Sequence, residues 1–246
     1  MKAAPQDQRR LLDLQAIDTA LQVLNNRRKT LPQLSTINTL SRQISEVDDE
    51  RIRAQVGVDD IDRDIARLER DIEQVRARSD KDQGRLDAGI GPARELEALQ
   101  HELASLHRRQ SELEDSELEF MEQRETAQSA VDAAVARLVE ARAALAAAEA
   151  ERDTALAEIA KDEDWKTSAR KPLASDLPSD LVALYDKVRE SSGGLGAALV
   201  RSGRCGGCRL EFSGGERARI KAAPDDEVVR CDDCRRIMVR TEESGL

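Results

Sequence analysis

At 246 residues, with 36% of them charged, four aromatic side chains and a formal charge of −10, the chain cannot assemble a thick globular core and is not built as a general polyanion binder. No stretch approaches the ~18 consecutive apolar residues of a membrane span, and the opening MKAAPQDQRRLLDLQ has no apolar block of signal-peptide type, so a soluble cytoplasmic protein is expected. In that reducing setting, four cysteines in two CxxC pairs point to metal ligation ahead of disulfides.

The first elements are helical. Leu14, Ile17, Leu21, Leu24 and Leu31 recur at coiled-coil spacings, then Leu34, Ile37 and Leu40 follow at threes with Pro32 inside the slip, which predicts a kink or short break near Pro32. From Ile37 through Ile44, Val47, Val58, Ile61, Ile65, Leu68 and Ile72 to Val75 the spacing is a sustained heptad seam, broken only by Arg51. A second seam runs from Leu96, Leu99 and Leu103 through Leu113, Phe120, Val131, Leu138 and Leu145 to Ile159, with Gln110, Glu117, Arg124 and Arg152 as polar interruptions. Each seam covers about seventy residues, roughly 100 Å of helix at ~1.5 Å per residue. Between them, DKDQGRLDAGIGPARE (80–95) holds Gly84, Gly89, Gly91 and Pro92, so the reading is an antiparallel coiled-coil hairpin over 1–163 with its tip at about 81–92. Pairing between separate chains would produce the same heptads; the matched lengths of the two seams favour one chain.

The stretch KDEDWKTSARKPLASDLPSD reads as a change of direction at Pro172 and Pro178. A short amphipathic helix with Leu181, Leu184, Tyr185 and Val188 on one face then stops at Gly193 and Gly194, making 164–194 a junction segment. Trp165 and Tyr185 are expected to cement the base of the hairpin to the C-terminal module, because large rings contribute the most buried area available here.

Over 195–246 the pattern changes to short strands at 195–200, 210–212, 227–230 and 236–240, with an irregular loop before the third. They flank Cys205-Gly-Gly-Cys208 and Cys231-Asp-Asp-Cys234, which lie 22 residues apart. Each CxxC sets two sulfurs on one tight turn, and hairpins bring the pairs together as a four-thiolate set. That is a small β zinc ribbon, and the fold class is mainly α: a long antiparallel coiled-coil hairpin followed by the ribbon. Structural Zn2+ on Cys205, Cys208, Cys231 and Cys234 leaves no coordination position for a substrate. Iron in the same cage and two dithiol redox pairs are the competing readings. The first lacks an aromatic shell beyond Phe212, and the second lacks a βαβ setting.

No catalytic constellation stands beside it. His101 and His107 fall at outer or flanking positions of the second seam, and neither a GxSxG elbow nor a phosphate loop occurs. An enzyme and a small-molecule substrate are therefore not expected.

The blocks GPARELEALQHEL (91–103), LVALYDKVRESSGG (181–194), CGGCRLEF (205–212) and VVRCDDCRRIMV (228–239) resemble, in order, the signature segments of the bacterial C4-type zinc-ribbon family with an N-terminal coiled-coil hairpin. The resemblance spans nearly the whole chain. It implies the same zinc ligands, a ribbon at the base of a helical hairpin, and non-enzymatic binding: nucleic acid or a transcription-associated role through the ribbon is the favoured function, and a protein adaptor, scaffold or chaperone that docks partners such as transcription or secretion components on tip and ribbon is the alternative.

The residues offer a surface for each kind of partner. Residues 201–240 carry ten Arg or Lys against seven Asp or Glu, so any attraction to phosphate is local to the ribbon. Arg204, Arg209, Arg217, Arg219, Lys221, Arg235 and Arg236 are the candidate nucleic-acid contacts. The tip, with Arg85, Leu86, Ile90 and Arg94, is the candidate docking surface for a protein.

Overall fold

A computed structural model describes residues 1–246. Helix α1 (Pro5–Lys29) begins on a proline, whose missing N–H is harmless in a first turn. It ends at Thr30, whose N–H donates to the carbonyls of Asn26 and Arg27, and α2 (Pro32–Asp87) starts on the next proline. The break expected near Pro32 is thus a two-residue joint, Thr30 and Leu31, with Leu31 buried. Helix α3 (Ala93–Ser175) follows, then α4 (Ser179–Ser191).

The chain divides into two compact units, one of residues 35–149 and one of residues 1–34 with 150–246. In the first of these, α2 and α3 pair antiparallel within the chain. Val47 packs with Ala134 and Leu138, and farther along α2, Leu68 and Ile72 pack with Leu113. Glu50 accepts from Arg137 at 2.7 Å and Glu114 from Arg76 at 2.6 Å, so rising numbers on one helix meet falling numbers on the other. The polar interruptions face neighbours of their own: Arg51 donates to Asp48, and Arg124 pairs with Asp62 across the seam. The Arg51 pair lies within α2, whereas the exposed pairs that cross the seam set register more than they add stability.

The other unit joins α1, residues 150–175 of α3 and α4 to a sheet. Strands β1 (Ala197–Arg201), β2 (Arg204–Cys205), β3 (Val229–Arg230) and β4 (Ile237–Val239) lie in the order β2-β1-β4-β3, with β1 parallel to β4 and the remaining pairs antiparallel. Residues 1–3 pair with the chain just before β3 through one isolated bridge, Lys2 with Glu227: the Val228 N–H donates to the Met1 carbonyl and the Ala3 N–H to the Asp226 carbonyl. Leu11, Leu14, Leu181, Tyr185, Ala197 and Ile237 form the core between helices and sheet.

Four expectations need correction. The chain does not turn at Pro172: α3 runs through it to Ser175, forgoing the backbone bond from position 172 to the Ser168 carbonyl and ending within the next turn. The turn comes at Pro178, whose carbonyl accepts from Leu181 and Val182 to open α4. Trp165 cements nothing, being 67% exposed with only Lys166 lying over its ring, whereas Tyr185 is wholly buried as expected. The strand at 210–212 shrinks to one bridge, Arg204 with Glu211, and the irregular loop contains helix α5 (Gly214–Ala222), capped by the Ser213 hydroxyl accepting from the Glu216 N–H.

Gly196 makes the join between α4 and β1 tight. A Cβ there would stand 2.8 Å from both the Tyr185 carbonyl oxygen and its ring. Gly196→Ala is therefore expected to lower the free energy of unfolding by about 1–3 kcal/mol, measured by denaturant titration of the metal-loaded chain; an unchanged midpoint would mean the join is loose.

Candidate metal centre

Two turns of the same design present the cysteines. In the first, the Cys205 N–H donates to the Leu210 carbonyl and the Arg209 N–H returns to the Cys205 carbonyl at 2.7 Å. In the second, Cys231 donates to Arg236 and Arg235 returns to Cys231, both at 3.0 Å. Each turn closes on an arginine with positive φ, 66° at Arg209 and 60° at Arg235, a conformation that most side chains avoid. The glycines of the first turn serve close packing: a Cβ on Gly206 would lie 2.4 Å from the Leu199 carbonyl oxygen, and one on Gly207 would lie 2.5 Å from the Arg236 side chain.

The four sulfurs lie within 4.8 Å of one another, with Cys205 to Cys234 at 3.7 Å and Cys208 to Cys231 at 3.8 Å. A tetrahedron with metal–sulfur bonds of about 2.3 Å has edges near 3.8 Å, so the donor set has the size and shape of a zinc site, and no pair is close enough to be a disulfide. Val200, Phe212, Ile220, Val229 and Met238 pack around the sulfurs. As free thiols, Cys205, Cys231 and Cys234 are uneven. Burial pushes Cys205 and Cys231 up, while at Cys234 burial is outweighed by hydrogen bonds from Arg236 and from the neighbouring thiols, which draw it down to about 7. Zinc would be held by Cys205, Cys208, Cys231 and Cys234 as a closed, structural centre.

The cations nominated for phosphate contact are mostly committed elsewhere. Arg204 pairs with Glu211 at 3.2 Å, Arg219 with Asp232 at 2.8 Å, and Arg217 donates to the Gly245 carbonyl. Half-buried Arg236 donates to the carbonyls of Leu195 and Ser192. Arg209, Lys221 and Arg235 remain exposed without an acidic partner. At the tip, Arg85 lies 3.7 Å from Asp82, Leu86 is half-buried, Arg94 is exposed, and Ile90 stands 85% exposed between Gly89 and Gly91, both at positive φ. His101 and His107 are exposed.

Several working residues have no obvious mark in the sequence. Gln8, Gln15 and Gln22 repeat at seven-residue spacing on α1, and all three amides donate to backbone carbonyls outside that helix: Gln8 to Ala3 and Asp225, Gln15 to Gly194, Gln22 to Gly193. Buried Asp18 accepts from Arg170 at 2.7 Å and from the Tyr185 hydroxyl at 2.8 Å. Arg240 donates to the carbonyls of Ile220, Ala223, Pro224 and Glu227, holding the end of α5 and the chain after it. A seven-residue glutamine repeat is the one available signal, and it has no meaning until the carbonyls of Gly193, Gly194 and Asp225 are known to lie beside α1.

Compared with known proteins, residues 14–193 match the CT398-like coiled coil hairpin domain and residues 204–238 match the C4-type zinc ribbon domain. The chain is 40% identical over 242 residues to an uncharacterized protein of Mycobacterium tuberculosis, covering 98% of each. A solved structure from Mycobacterium smegmatis is similar at a TM-score of 0.89 and 36% identity, over 98% of this chain and 100% of that one. CT398 from Chlamydia trachomatis shares the fold at a TM-score of 0.71 and 15% identity, over 96% and 98% of the two chains.

Proposed function

Because the chain belongs to the family of CT398-like coiled-coil hairpin proteins and ends in a C4-type zinc ribbon, we propose that this zinc-binding protein is an adaptor that docks a protein partner on its hairpin tip. Neither matching family is one of enzymes. The observation that carries the reading is Ile90. It is an isoleucine 85% exposed on a turn bounded by two glycines of positive φ, and no contact within the turn explains its choice over a polar residue. A large aliphatic side chain presented that way suits a pocket on another protein. The ribbon supports the same reading from the other side, since four of its seven nominated cations are paired with acids or backbone carbonyls and are poorly placed for phosphate.

A second reading has its own observation. Arg209 and Arg235 project from equivalent positions of the two metal turns, each on strained backbone and without an ion pair, an arrangement that favours a polyanion. One experiment separates them. The tagged chain is used to capture partners from its host with and without nuclease, beside Ile90→Asp and an Arg209→Ala, Arg235→Ala pair. Ile90→Asp is expected to weaken the nuclease-resistant partner about thirty-fold with zinc content unchanged. Capture that is lost to nuclease and to the arginine pair, but indifferent to Ile90→Asp, would replace the adaptor reading with the nucleic-acid one.

A further inference from the structure

The β1 and β4 strands are two-faced. Ala197, Ile237 and Val239 pack into the core with Leu11, Leu14 and Tyr185, whereas Val200 and Met238 pack into the apolar shell of the cysteine sulfurs. The sheet is therefore the common wall of two cores, one made by helices and one organised around the metal.

Polar contacts fasten the same wall at both faces. On the helix side the Gln15 carboxamide oxygen accepts from the N–H groups of Gly196 at 2.6 Å and Ala197 at 3.3 Å, while its amide donates to Gly194. Gln15 is 5% exposed, so these bonds are sheltered from water. On the metal side, Gly206 donates to Leu199 of β1, and Arg236, two residues past Cys234, reaches back to Ser192 and Leu195 at the end of α4. The same Arg236 side chain lies against Gly207 of the other metal turn. One arginine thus touches both turns and the exit of α4, and one glutamine grips the strand that leads into the first turn.

We propose that this wall couples metal occupancy to the docking of α1 and α4, making the ribbon a metal-dependent lock on the helices of its own unit. Loss of the ion removes the packing on one face of β1 and β4, and the opposite face then loses the strands against which Leu11, Leu14 and Tyr185 are buried. The coupling is reciprocal, so loosening the helix side weakens the grip on the metal. This stands whatever the tip binds.

Hydrogen exchange of the full chain, zinc-loaded and after chelation, tests the forward direction. Chelation is expected to raise exchange in residues 5–18 and 179–191 as well as in 197–240, with re-addition of zinc restoring both and residues 35–149 unaffected. An increase confined to 197–240 would overturn the proposal. The reverse direction uses Gln15→Ala in the zinc-loaded chain, read as the rate of zinc transfer to a chromophoric chelator. That rate should rise at least about five-fold, the low end of ordinary site-to-site coupling, while zinc stoichiometry stays at that of the native chain. A native transfer rate alongside raised exchange in α4 would show the two cores to be independent and would equally overturn it.

Discussion

Cys231→Ser should leave the purified chain without its metal and with residues 197–240 unprotected in hydrogen exchange. Cys231 is wholly buried, its backbone N–H is tied to Arg236, and its sulfur lies 3.8 Å from that of Cys208. A serine there offers a poor zinc ligand at a position wholly closed to solvent. The apolar shell consists of a handful of side chains, Val200, Phe212, Ile220, Val229 and Met238 among them, and no ribbon strand is longer than five residues. Such a module is too small to order itself by burial. A structural zinc ion contributes about 10–16 kcal/mol in comparable sites, so its loss exceeds anything the remaining contacts can offset. Metal analysis should fall from one ion per chain to near zero. A variant that keeps full occupancy, or a native centre showing an exchangeable solvent ligand, would contradict a closed four-sulfur site. The affinity should also fall with acidification, since Cys205 and Cys231 hold their protons tightly and binding must displace them.

The parts of this molecule that could be read in advance are those governed by local periodicity. The seams through Leu68, Ile72 and Leu113 follow from heptads, the tip from Gly89 and Gly91, and the ligand set from two CxxC pairs, because each signal lies within a few residues of what it specifies. Helix α5 was legible only in part: Ser213-Gly-Gly-Glu216 has the serine and glutamate spacing of a helix start, but its glycines read as a loop, the expectation that the structure corrects. The continuation of α3 through Pro172 was not, since a proline reads locally as a stop and only the helix beyond it, with its neighbours, shows otherwise. Trp165 illustrates the opposite error: ring size predicts burial, yet its position on α3 turns it to solvent. Gln15 and Asp18 look like ordinary wet positions of an amphipathic helix. They are buried because Tyr185, Gly196 and Arg170 come from segments more than 150 positions away, a relation that no window along the chain contains.

Asp18→Ala is expected to be the most damaging change outside the metal site. The Asp18 side chain is 1% exposed and joins α1 to two other helices, accepting from Arg170 through both carboxylate oxygens and from Tyr185, with Arg189 at 3.5 Å. Asp186 supplies the second carboxylate, so two negative and two positive groups balance. Truncation leaves an excess guanidinium charge in a place that water reaches poorly. Breaking a buried pair in this way costs ~3–5 kcal/mol, and because the Arg170 and Arg189 side chains keep 23% and 36% exposure the lower end is expected here, roughly 3 kcal/mol. The measurement is the opening free energy of α4 amides by hydrogen exchange on the zinc-loaded chain. Arg10→Ala, which removes the exposed pair with Asp176, is the control and should change it by no more than about 0.5 kcal/mol. Tyr185→Phe separates charge from hydrogen bonding: it deletes one donor to Asp18 and should cost about 1–2 kcal/mol. If Asp18→Ala were no worse than the Arg10 control, the cluster would be hydrated and α1 would be held by Leu11 and Leu14 alone. If it matched Tyr185→Phe, the hydroxyl and not the charge balance would be what Asp18 supplies.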